Sequence, residues 1–163
     1  MKVVRRALVL ALAAITVGVA PIGAGGAGGA SAAGEVTAVI RLPRRTLAAG
    51  STVEAEIVVH NRTGAPIEFV ACGSPFAVAL HNRSVPALVA WPACGGPGII
   101  PTGTTTYRMP LIARYSSCSP DGPIICDGGD PPPLPPGRYL ATLYQSPKVL
   151  TAHARSLRVR VVR

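Results

Sequence analysis

A chain of 163 residues with 16 Lys plus Arg against seven Asp plus Glu carries a formal charge of +9. With an N-terminal export segment set aside, about 130 residues remain, which suits one domain with a genuine core rather than two. Basicity invites a nucleic-acid or anionic-surface partner. Here the arginines of the remaining part are spread from Arg41 to Arg163, and only two lysines stand beside 14 arginines in the whole chain. With abundant Ala, Gly and Pro, that bias reads as the translation of a GC-rich genome, so no nucleic-acid partner is expected.

The chain opens on Lys2, Arg5 and Arg6, followed by an uncharged apolar run from Ala7 to Ala20 that stops at Pro21. A Gly/Ala stretch then closes in Ala30-Ser31-Ala32-Ala33. A positive start, an apolar middle and a small-residue end form a secretory signal, expected as a helix within residues 1–33. Cleavage fits before Ala33 or before Gly34. A retained anchor needs about 20 strongly apolar residues. The second half of this segment is Gly and Ala, which gain little from lipid, and Gly disfavours helix. Cleavage, and no stable membrane span after it, is therefore the expectation. The Arg5-Arg6 pair alone does not specify twin-arginine export, and no cysteine marks a lipoprotein boundary. Losing the three N-terminal cations leaves thirteen against seven carboxylates, a net charge of +6.

From residue 34 onward, apolar and polar residues alternate, the pattern of half-buried strands. Val36, Ala38, Ile40 and Leu42 share one face, opposite Glu35, Thr37 and Arg41. Val53, Ala55, Ile57 and Val59 repeat it against Thr52, Glu54, Glu56 and His60. Shorter candidates are Pro66 to Ala71, Phe76 to His81 and Val85 to Trp91. Tyr107, Met109, Leu111, Ala113 and Tyr115 then align against Thr106, Arg108 and Arg114. Tyr139, Ala141 and Leu143 form another inward set, and Leu157, Val159 and Val161 close the chain against Arg158 and Arg160. Pro86 and Pro110 push their segments to edges or bulges, because proline donates no ladder hydrogen bond. Turn signals separate the runs at Ala49-Gly50, at residues 61–64, at Gly95-Gly96-Pro97-Gly98 and from Pro131 to Gly137. No helical period lasts ten residues. The pattern predicts an all-β domain over residues 34–163, an antiparallel β-sandwich of seven or eight strands.

Cys72, Cys94, Cys118 and Cys126 all follow the export segment. An even count in an exported chain implies disulfides, and four cysteines allow three connectivities. Pairing of sequence neighbours, Cys72 with Cys94 and Cys118 with Cys126, is the expectation. There is no C-x-x-C, and spacings of 22, 24 and 8 match no zinc ribbon.

Chemistry-bearing residues are sparse. His60, His81 and His153 are the imidazoles, and their spacing marks no metal site, with or without Met109. Asp121, Asp127 and Asp130 offer three carboxylates in a Gly-rich loop, fewer oxygens than calcium takes and not in EF-hand spacing. They read as turn formers. Cys72-Gly-Ser74 lacks a placed base, and Glu54 and Glu56 share one exposed face rather than flanking a cleft. Asn61-x-Thr63 and Asn82-x-Ser84 match glycosylation sequons, a frequent chance pattern. No catalytic residue, metal or cofactor is expected. The remaining feature is Ser116 to Gly137, where the Cys118–Cys126 loop and Pro131-Pro132-Pro133 form a rigid projection. A preorganised loop loses less entropy on docking, while a structural cap over a sheet edge is the alternative use.

Leu134-Pro135-Pro136-Gly137-Arg138-Tyr139, then a strand, a loop and a last strand, resembles the final hairpin of immunoglobulin-like sandwiches, with Tyr139 at a position similar to the tyrosine corner. Leu47 to Gly50, the alternation from Val53 to Asn61 and Thr63-Gly64-x-Pro66-Ile67 resemble the first strands of bacterial, actinobacterial-looking, secreted Ig-like modules. More loosely, they resemble the BsuPI-type proteinase-inhibitor domain. The resemblance implies a fold, and its motifs mark strands and turns rather than chemistry. The expectation is an exported, non-enzymatic module, extracellular or envelope-associated, that binds a protein or cell-envelope component through its loops. The alternative is a secreted protease inhibitor using the Cys118–Cys126 loop.

Overall fold

A computed structural model describes residues 34–163, apart from positions 88, 90, 92, 93 and 152. The signal expected over residues 1–33 lies outside the described residues. Those that are described form an all-β structure without helix.

The strands are β1 (Val36–Arg41), β2 (Thr46–Ala48), β3 (Thr52–Asn61), β4 (Ile67–Ala71), β5 (Phe76–His81), β6 (Gly96–Ile100), β7 (Gly103–Ile112), β8 (Gly137–Gln145) and β9 (Leu157–Val162). One sheet has the order β1-β3-β7, a second β2-β9-β8-β5, and β4 with β6 makes a separate ribbon. In the first sheet β3 is central, running antiparallel to β1 from Val36↔Asn61 and to β7 from Thr52↔Ile112. Pro110 thereby sits on an edge strand, where its missing N–H leaves no gap in a ladder. In the second sheet β8 pairs antiparallel with β5 and β9, and β2 pairs parallel with β9. That parallel edge departs from the all-antiparallel expectation, and the described residues form nine strands where seven or eight were expected, because the short β2 and β6 carry no alternation to read.

The alternating residues determine which faces are buried. Ala38 and Ile40 of β1, Ala55, Ile57 and Val59 of β3, and Met109 and Leu111 of β7 are buried together with Phe76, Val78 and Leu80 of β5. Tyr139 and Ala141 of β8 and Val159 and Val161 of β9 join the same cluster, so both sheets contribute their inward faces to one core. Phe69 and Ile100 bring the ribbon into it. Burying a Val, Leu or Ile side chain stabilises by about 1.5–3 kcal/mol relative to exposure, so this shared face dominates the fold.

Two expectations about individual segments are also corrected. Gly95 to Gly98 is not simply a turn: Gly96–Ile100 forms β6, paired with β4 from Ile67↔Ile100 to Ala71↔Gly96. A side chain at Gly98 would collide with the Phe69 ring, so glycine here admits a ring onto a strand. Conversely, the described residues from Val85 to Trp91 are not in a strand, consistent with the missing N–H of Pro86. Val85 is buried, and Trp91 is half-buried outside any ladder.

Candidate binding surfaces

The cysteines meet as sequence neighbours. Cys72 follows β4 and Cys94 precedes β6, with Cα atoms 5.4 Å apart, so their disulfide closes the ribbon end next to Ala71↔Gly96. Cys118 and Cys126 are 5.1 Å apart at Cα and are likewise bonded.

The second disulfide lies within the β7–β8 connection, which is tied down on both flanks. Gly50 N donates to Ala113 O (2.9 Å) and Ala113 N to Ser51 O (2.8 Å), extending the β7 edge. The returning chain runs beside it. Leu134 N donates to Ala113 O (2.9 Å), Tyr115 N to Pro132 O (3.0 Å) and the Arg114 guanidinium to Pro131 O (3.0 Å). Proline supplies the acceptors here without needing a donor of its own.

Between the flanks, two local closures shape the loop. Asp127 N donates to Asp130 O (2.9 Å) and Asp130 N to Asp127 O (3.1 Å), around Gly128 and Gly129 at φ +61° and +93°. Two successive positive φ values define the tight turn that Gly-Gly serves. The carboxylates of Asp127 and Asp130 therefore flank a turn, and Asp121 is exposed elsewhere in the loop. Ser119 N donates to Ile124 O (2.9 Å) and Gly122 N to Ser119 O (3.3 Å), so residues 119–124 fold back on themselves. Ile125, beside Cys126, is left 68% exposed.

The other candidate residues are placed separately. His60 Nδ1 meets Thr104 Oγ1 at 3.0 Å on the outer side of the β1-β3-β7 sheet. His81 Nε2 meets Thr142 Oγ1 at 2.8 Å, and Thr142 in turn meets Ser156 Oγ at 2.7 Å. His153 is exposed in the β8–β9 connection. Among the described residues no three His, Cys, Asp or Glu side chains gather closely enough to hold a metal ion. Ser74 Oγ accepts from Phe76 N (3.1 Å), a turn bond at the start of β5. Glu54 and Glu56 face Arg108 at 3.8 and 3.5 Å in exposed ion pairs, each worth about 0–1 kcal/mol.

Both sequons are turn devices. Asn61 is 2% exposed; its amide donates to Ala65 O (2.9 Å) and Ile100 O (3.2 Å), while its carbonyl accepts from Thr63 N and Oγ1 (3.0 and 2.7 Å). Asn82 accepts from Ser84 N and Val85 N (2.9 and 2.8 Å). Both are Asx turns, and in the first the Thr63 hydroxyl is itself a donor to Asn61.

What the sequence did not show is a cluster of arginines. An open groove on the outer face of the β2-β9-β8-β5 sheet is lined by Arg45, Arg83, Arg138, Arg158, Arg160 and Arg163. These residues are spread over more than a hundred positions, yet the register sets Arg138 directly opposite Arg160, and Leu140 opposite Arg158. The spread that argued against an anionic partner is therefore not spread in space.

No protein-family description and no curated protein matches this sequence. Among solved structures, 79% of the chain is similar to 16% of a β-glucosidase from Erythrobacter marinus, at 12% identity and TM-score 0.46. Similarly, 78% of it matches 16% of a β-glucosidase from Listeria innocua solved with glucose, at 14% identity and TM-score 0.45. The chain spans about a sixth of the length of either enzyme. No helix among the described residues is long and apolar enough to cross a membrane.

Proposed function

We propose that this chain is an exported, non-enzymatic Ig-like β-sandwich module that binds a protein or cell-envelope component through the loop joining β7 and β8. The observation that carries the reading is the closure of that loop. A disulfide, a Gly-Gly turn and hydrogen bonds on both flanks hold it while Ile125 stays 68% exposed. Ordering such a loop is largely complete before docking, so an exposed apolar anchor beside the disulfide contributes to affinity with little entropy lost.

Supporting the Ig-like assignment are two sheets with a shared core and the Tyr139 hydroxyl, which donates to Pro135 O at 2.8 Å. A tyrosine bonded to backbone a few residues upstream is the tyrosine-corner arrangement. Supporting export are the signal pattern of residues 1–33 and two disulfides, which persist in oxidising compartments. A substrate-like inhibitor needs an extended loop whose backbone is free to pair with a protease. The turn over residues 119–124 favours simple docking instead.

The test is affinity capture from the host's own envelope extract, comparing the wild-type protein with Ile125→Asp and with a scrambled 119–125 segment. A partner retained by the wild type and lost from both variants supports the reading. Equal recovery by all three, or by none, counts against it.

A further inference from the structure

We infer that the outer face of the β2-β9-β8-β5 sheet is a second docking surface, for a linear phosphodiester polymer of the cell envelope. The envelope source rests on the export reading above; the anion chemistry does not. Six guanidinium groups line the groove with no Asp or Glu side chain among its lining residues, the α-carboxylate of Arg163 being the one acidic group there. From Pro131 to the C-terminus there is no Asp or Glu at all. The ion pairs found among the described residues, Arg108 with Glu54 and Glu56, lie on the other sheet. The fold thus separates its charges, leaving these arginines without acidic side chains inside the groove.

That arrangement acts against the sheet. Arg138 and Arg160 are direct cross-strand neighbours, and like charges in that position are destabilising. A ligand phosphate between them removes the repulsion and supplies the acceptor geometry that guanidinium forks match.

The shape and lining select among polyanions. The groove is open, nearer a shallow surface depression than an enclosed cavity, whereas small-molecule sites bury most of their ligand, so it suits a chain lying across the strands. Single-stranded nucleic acid needs exposed aromatic rings on which bases stack. Of the rings in this lining, Tyr139 is 3% exposed with its hydroxyl bonded to Pro135, and the half-buried His81 imidazole is held by Thr142 at 2.8 Å. Leu140, 39% exposed, instead offers aliphatic surface beside the arginines, as a polyol backbone between phosphates would use.

The test titrates the purified exported protein with a synthetic poly(glycerol phosphate) of about ten repeats, chosen to present several phosphates to the groove. Binding is expected at 50 mM salt and at least tenfold weaker at 200 mM, as counterion release requires. Arg138→Gln with Arg160→Gln is expected to lose at least tenfold in affinity while its melting temperature stays level or rises. Arg41→Gln with Arg62→Gln removes the same charge elsewhere and is expected to leave affinity within about twofold, since charges beyond a Debye length are largely screened. The proposal is overturned by absence of binding at 50 mM, by equal losses in the two pairs, or by tighter binding to oligothymidylate or phosphatidylglycerol vesicles than to the polymer. Cell fractionation reads export separately: cytoplasmic retention overturns the export reading, whereas failure to bind the polymer overturns this one.

Discussion

The Tyr139 hydroxyl donates a 2.8 Å hydrogen bond to the Pro135 carbonyl, pinning the start of β8 to the chain that enters it. The ring fills the core, so Tyr139→Phe keeps the packing and removes the hydroxyl's hydrogen bonds, to Pro135 and with Asn82. Pro135 is exposed and its carbonyl regains water. The expected loss is about 1 kcal/mol, or about 4 °C in melting temperature for a domain of this size. An unchanged midpoint would show that these bonds contribute nothing.

The same hydroxyl makes stability depend on alkaline pH. Burial, then the nearby Tyr115 charge, raises the Tyr139 phenol above its ordinary value of 10.0, with an Asn82 hydrogen bond opposing; burial raises Tyr107 as well. The folded state holds these protons more tightly than the unfolded chain does. Their contribution is therefore complete below about pH 10 and is lost as pH rises through the raised folded values. Urea midpoints should fall above pH 10, and more shallowly in Tyr107→Phe with Tyr139→Phe. Parallel pH slopes in the two proteins would contradict the assignment.

Asn61 is the buried polar side chain on which the β3–β4 turn depends, and Asn61→Ala leaves the Ile100 and Ala65 carbonyls and the Thr63 N–H without it. A cost of about 2–4 kcal/mol is expected in chemical denaturation. Asn82→Ala, with a partly exposed turn, should cost about 1 kcal/mol. Equal costs would mean that burial of the Asn61 amide is immaterial.

Removing the disulfides should separate fold from loop. In the chain-entropy model the 22-residue separation of Cys72–Cys94 is worth about 3 kcal/mol and the eight-residue one of Cys118–Cys126 about 2.5. Limited proteolysis distinguishes them further. Cys118→Ser with Cys126→Ser should be cut rapidly between residues 119 and 125, while Cys72→Ser with Cys94→Ser keeps that segment resistant. Identical cleavage patterns would contradict a locally closed loop.

Period-two alternation made the long strands legible. The inward sets of β1, β3, β7 and β8 follow the parity read from the sequence, because one face of each strand meets a shared core. Of the short elements, β4 and β5 were legible, whereas β2 and β6 were not. β2 has three residues, too few for a period, and its parallel partner β9 lies more than a hundred positions away. β6 was hidden by Gly and Pro, which usually break strands but here admit the Phe69 ring. The arginine groove was invisible for a different reason. Its residues come from β8, β9 and the segments bordering β2 and β5, and only the register places Arg138 against Arg160. The sequons were legible as strings, whereas their Asx turns required the buried geometry of Asn61.

The most direct test of loop-mediated docking is photo-crosslinking in the producing cells, with a photoreactive residue at position 125 and, as control, at Val39. Val39 is also apolar and 50% exposed, but lies on β1. The loop-docking account predicts a discrete adduct of higher mass from position 125 that is absent from position 39. No adduct at 125, or the same adducts from both positions, would contradict it.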